Sequence, residues 1–141
     1  MATSHNDVRR RLSLTWVFVM LNMLYADIFS FMSPGTLKMF MEGRAEEIVL
    51  TPMLLLVFAV LTEIPLAMVL LSYVLPERAA RWSNIVVAAF TVVYIWGGAS
   101  ALPHYYFIAA IETAACALIA WTAWQWRTAE ARVPARQLVA E

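Results

Sequence analysis

The sequence predicts an all-α integral membrane protein, a four-helix bundle with a short interfacial helix between its first and second spans. Three observations carry that expectation. Hydrophobic residues make up 62% of the 141-residue chain, against roughly half in soluble domains. The apolar residues gather into stretches of about 17–24 residues, and about 20 are needed to cross ~30 Å of hydrocarbon. The charged residues collect between those stretches and at the two ends of the chain.

Residues 1–11 are polar and end in Arg9, Arg10 and Arg11, forming a basic cytoplasmic N-terminus. The first span covers 12–32 and is interrupted by Asn22 and Asp27. A basic start before an apolar core also describes a signal peptide, but the segment has full span length and no small-x-small cleavage motif follows it. Ser33 and Pro34 then suggest a cap and first position of a new helix. Up to Glu42 the apolar residues Leu37, Phe40 and Met41 fall at i, i+3 and i+4, and Gly43 ends the run. That pattern predicts a short helix lying on the membrane surface. Residues 44–50 read as connector.

Thr51 and Pro52 repeat the cap-then-proline start and open the second span, 52–75. Pro76 to Arg81 form a short basic link to the third span, 82–98. A bend at Gly97, Gly98, Ala99 and Ser100 leads to the fourth span, 103–126, and a polar, alanine-rich cytoplasmic tail covers 127–141. Residues 12–126 thus read as one transmembrane domain. Arg9, Arg10, Arg11, Arg78, Arg81, Arg127, Arg132 and Arg136 fall on one side, and only Lys38 and Arg44 on the other, which places both termini in the cytoplasm. Trp16, Trp82, Trp121, Trp124 and Trp126 fall at the same inner boundary and read as an aromatic belt.

Formal net charge is zero, so no nucleic acid or other polyanion is expected as partner. Cys116 is the single cysteine, which excludes an intramolecular disulfide. With two histidines and no C-x-x-C or H-x-x-x-H spacing, neither a metal centre nor a cofactor is expected.

The informative residues are polar groups inside the spans. Of ten acidic residues, Asp27, Glu63 and Glu112 fall there, and of ten basic residues none does. An isolated charged carboxylate in hydrocarbon costs several kcal/mol or more, so such a group takes a proton, shares one, pairs with a histidine or meets a cationic ligand. Glu63 lies two residues before Pro65, which cannot donate a backbone hydrogen bond and leaves the Leu61 carbonyl short of a partner. At 1.5 Å per residue, Asp27 lies roughly 8 Å below the outer end of its span, Glu63 roughly 17 Å and Glu112 roughly 13 Å. His104 stands at the outer mouth, within about 80° of Glu112 on the same helix. Asn22 and Tyr25 on the first span, Thr91 and Tyr94 on the third and Tyr105 on the fourth complete a candidate ligand-binding set. Asn84, Thr91, Tyr94 and Gly98 form a polar seam along the third span. The resulting expectation is a pocket opening outward, with Glu63, Glu112, Asp27 and His104 as its acid–base groups. Asn22, Asn84 and Thr91 also suit a role as hydrogen-bonding glue between helices.

NMLYADIFSFMSPG at 22–35, TP followed by LTEIPLAMVLLS across 51–72, and HYYFIAAIE at 104–112 resemble a family of small bacterial four-helix membrane proteins, a domain of unknown function. The resemblance covers roughly residues 11–126. It implies a compact four-span fold in a bacterial cytoplasmic membrane and no particular reaction.

Three functions fit the residues. The first is a pocket that binds, or acts by acid–base chemistry on, a lipophilic small molecule. The second is a proton- or cation-coupled transporter acting as a homodimer, since four spans rarely enclose a path alone. The third is an accessory subunit whose polar seams serve assembly. Below Glu63 the second span offers only Ser72 and Tyr73, which disfavours a through-path and favours an outward-facing cup.

Overall fold

The computed structural model describes residues 5–45, 47–98 and 102–130. They form α1 (His5–Met32), α2 (Thr36–Met41), β1 (Arg44–Ala45), β2 (Ile48–Val49), α3 (Pro52–Val74), α4 (Glu77–Gly97) and α5 (Pro103–Glu130). The helices α1, α3, α4 and α5 are long and apolar enough to cross a membrane. The protein is an all-α four-helix bundle with one short helix, α2, between the first two long ones.

Helix boundaries depart from the sequence expectation where charge was taken as a stop. α1 begins at His5 instead of near residue 12, and α4 begins at Glu77 instead of Trp82. Arginine is a good helix former, and its stem can lie along apolar surface while the charge reaches a polar boundary. Pro76, extended at φ −60° and ψ 150°, precedes α4 and lets the helix start at the next residue. α2 also starts later than expected, at Thr36, because Gly35 adopts a left-handed conformation at φ 86° and serves as its N-cap. Ser33 does not cap it; its hydroxyl donates back to the Phe29 carbonyl at 3.4 Å. The 44–50 connector contains a minimal antiparallel hairpin, with Arg44 opposite Val49 and Ala45 opposite Ile48. The start of α3 is as the sequence reads. The Thr51 hydroxyl accepts from the Leu54 amide at 3.2 Å, and Pro52 takes the first helical position. The expected bend runs past Gly98 into 99–101, which lie outside the described residues, as do 131–141 of the tail.

α1 packs beside α3 and α5, and α4 packs beside the same two helices, so α1 and α4 face each other across the bundle. In the half holding the N-terminus of α1, the core is built from Leu12, Trp16, Met68, Cys116, Ile119 and Ala123. A polar knot ties three helices there. The Trp16 indole donates to the Asn84 side-chain carbonyl at 2.7 Å, and the Ser72 hydroxyl reaches the same oxygen at 3.2 Å. Asn84 in turn donates to the Ala80 carbonyl at 2.7 Å. All three side chains are fully buried. Trp16 is therefore a core residue and not part of a surface belt, and Trp126 is buried as well; Trp82, Trp121 and Trp124 remain exposed.

Two arginines lock this end. The Arg9 guanidinium donates to the carbonyls of Tyr73 and Leu75 at the end of α3 and lies 5.5 Å from the centre of the Trp126 ring. Arg81, buried despite its charge, lies between the rings of Trp82 and Trp124 at 5.3 and 5.6 Å. Cation–π contact of this kind supports a guanidinium where water is scarce.

Candidate functional site

The opposite half, near α2, holds a second set of polar residues, centred on a buried acid, Glu112. Glu112 lies on the inward stripe of α5, with Tyr105, Ile108, Ala109, Cys116 and Ile119 one or two turns away on the same face. Its side chain is 3% exposed. One carboxyl oxygen, Oε1, is buried with no hydrogen-bond partner. Helical spacing explains the position: residues at i±3, i±4 and i±7 share a face, and around Glu112 these are apolar or aromatic.

Asp27 on α1 lies close enough for its charge to act on Glu112, and Glu112, Asp27 and Tyr94 all lie within electrostatic reach of Tyr105. Tyr94 on α4 lies with its hydroxyl 3.1 Å from that of Thr62 on α3. The Tyr105 hydroxyl donates to the Ile95 carbonyl of α4 at 2.8 Å. At the edge, His104 Nε2 lies 3.4 Å from the Ser30 hydroxyl, and the imidazole meets the Phe29 ring edge-on at 6.2 Å. Asp27 is exposed. The structure thus brings Asp27, Tyr105, Tyr94 and Glu112 near one another, contributed by α1, α4 and α5 and buttressed by Thr62, while His104 stands at the edge against Ser30 and Phe29.

Other expected members stand elsewhere. Glu63 is exposed, while Pro65 is buried against the bundle. Two helical residues separate by about 200°, so the acid and the proline occupy opposite faces and do not make one site. Tyr25 is exposed and stacks on Phe29 at 6.3 Å. Asn22 donates to the Phe18 carbonyl one turn back at 2.8 Å. Thr91 is fully buried, and its hydroxyl returns to Val87 of its own helix at 2.7 Å. Thr62 and Ser30 were not singled out from the sequence, where single hydroxyls in apolar runs carry no signal of their own.

Beside the cluster, α1 and α5 leave an open, largely apolar groove of about 510 Å³. Its walls include Leu14, Phe18, Ile111, Ala115 and Leu118. Ile111 and Ala115 lie within one turn of Glu112 on α5, whereas Glu112 itself faces inward and does not line the groove. Among the described residues no group of three or more His, Cys, Asp or Glu side chains is placed to hold a metal ion.

A family model described as a family of unknown function, DUF6326, matches residues 2–132. No curated protein and no solved structure matches the chain.

Proposed function

The chain belongs to the DUF6326 family, and we propose that it holds a lipophilic small molecule in a bacterial cytoplasmic membrane, at the polar cluster around Glu112. The observation that carries this reading is the orphaned Glu112 Oε1, buried and without a partner. Leaving such a group unpaired costs about 1–3 kcal/mol, and an intramembrane acid is functional by default. A hydroxyl or amine on a ligand would supply the missing donor. The adjoining apolar groove suits the hydrocarbon part of the same molecule.

Acid–base chemistry on that ligand needs a second proton carrier within reach. Asp27 and Tyr105 beside Glu112, and His104 at the edge, are the candidates. With the basic residues directing both termini to the cytoplasm, the cluster's mouth faces outward. The transporter reading is weaker, because the buried polar groups beyond Glu112, Thr91, Asn84 and Ser72, are engaged with their own helices or with Trp16, and the rest of that core, Cys116, Ile119, Ala123 and Met68, is apolar. An accessory-subunit role remains the competing reading.

Infrared difference spectroscopy of the protein in vesicles tests the proposal, with dodecanol and dodecylamine as probes. The expected result is a shift of a carboxyl band on adding either probe, lost in Glu112→Gln and kept in Glu63→Gln. A wild-type band unmoved by saturating probe, with an equally stable Glu112→Gln bundle, overturns it and favours the accessory role.

A further inference from the structure

Of the long helices, α3 gives least of itself to the bundle: Pro65, Met68 and Ser72 are its buried residues. These mark its inward stripe. On the opposite side lie Leu56, Val60, Glu63, Ala67, Leu70 and Val74. The intervals between them are 4, 3, 4, 3 and 4, the spacing of a coiled-coil seam. Leu56, Val60, Leu70 and Val74 are 57%, 56%, 70% and 78% exposed. Glu63 stands at the centre of this seam, exposed and with no hydrogen bond or ion pair to any other described residue. Ala59 and Ala67 lie one turn to either side of it, small enough for a neighbouring backbone to come close.

We infer that two copies of this chain pack α3 against α3 along this seam, with the two Glu63 side chains hydrogen-bonded to each other across the interface. The seam is complementary to itself. The arginine bias directs every copy into one orientation, so a two-fold axis along the membrane normal relates the copies, the helices are parallel, and each Glu63 meets its counterpart at equal depth. A carboxylic acid both donates and accepts, which makes a second acid its natural partner when no base is near. The first, third and fourth spans offer no lysine or arginine at that depth, since Arg78 and Arg81 lie in the first two turns of α4. A 3–4 spacing maintains the contact along the helix with a shallow left-handed crossing. This interface lies on the far side of α3 from the Glu112 cluster and is independent of the pocket reading.

Oxidative cross-linking in vesicles, on a Cys116→Ala background, maps the seam. A disulfide requires Cα atoms within about 7 Å, so Val60→Cys and Ala67→Cys are expected to form dimers, and Val57→Cys and Ile64→Cys, on the flanks, to form few. Energy-transfer measurement of association in lipid then tests the acid. Glu63→Gln retains donor and acceptor and is expected to dimerise as the wild type does. Glu63→Met, of similar length without hydrogen bonding, is expected to weaken the dimer about three- to twentyfold. Equal cross-linking at all four positions, a monomer at every protein-to-lipid ratio, or a Glu63→Met dimer as tight as wild type each overturns the inference. So does a monomer whose Glu63 carboxyl band shifts with dodecylamine, which would give this face to a cationic lipophile.

Discussion

Single side chains decide most of what this bundle can do, and the polar ones divide into satisfied and unsatisfied. The Asn84 carbonyl serves two donors in the knot with Trp16 and Ser72. Ser72 has a second acceptor in the Met68 carbonyl at 2.7 Å, whereas no other acceptor is seen for the Trp16 indole. Asn84→Ala therefore strands one buried donor, and we expect a loss of about 1–2 kcal/mol, between the value for polar contacts in membranes and that for buried unpaired groups. Trp16→Phe should remove most of that penalty when combined with Asn84→Ala, giving a less-than-additive pair in reversible unfolding from mixed micelles. Glu112 Oε1 is unsatisfied, as are Nε and Nη2 of Arg81, but the arginine has aromatic rings over its guanidinium and the acid has none. Its replacement by glutamine is expected to leave the fold intact and to abolish the probe-induced carboxyl shift. Glu112 was legible in the sequence because it is an acid at membrane depth in an apolar run, with no lysine or arginine in the spans to pair with it. Trp16 was misplaced because a tryptophan a few residues from an arginine cluster reads as an anchor, and only the three-dimensional position of Asn84 shows that its indole is already paired.

At the level of elements, the helices were more legible than their faces. α3 shows the limit. Apart from Thr62, Glu63 and Ser72 its span is apolar nearly all round, so no periodicity says which side meets the bundle, and the acid was assigned inward by its depth alone. α4 and α5 carry clearer stripes, and there Asn84, Thr91 and Glu112 point inward as their spacing predicts. The linker after α1 was only half readable: nothing in its residues marks a hairpin two residues wide, while Gly35 marks its turn through conformation. A side chain at Gly35 meets nothing within 4 Å, so crowding is absent and only backbone strain opposes substitution. Gly35→Ala should cost about 1 kcal/mol through the left-handed conformation, and Gly35→Asn less. Amide exchange in α2 is the measurement; unchanged protection in Gly35→Ala would contradict the assigned strain.

For the whole molecule, the arginine distribution argues that the cluster near α2 opens away from the cytoplasm. On a Cys116→Ala background, Met41→Cys should react with an impermeant maleimide on intact cells, since Met41 is 82% exposed on α2. A cysteine introduced at Gln137 should react only after permeabilisation. The reverse pattern would invert the molecule and send the pocket to the cytoplasmic side.

The Arg9 clamp bears on the order in which such a chain is made. Arg9 leaves the ribosome before the segments it joins: the carbonyls it holds belong to Tyr73 and Leu75, and the ring it covers belongs to Trp126. Until those segments emerge its guanidinium has neither partner. The second long helix brings the carbonyls, and the last one brings the ring. The clasp therefore closes in two stages, the later one only when the final helix is in place. A chain cut short before Trp126 would carry the first half of the clasp and leave that end of the bundle undone.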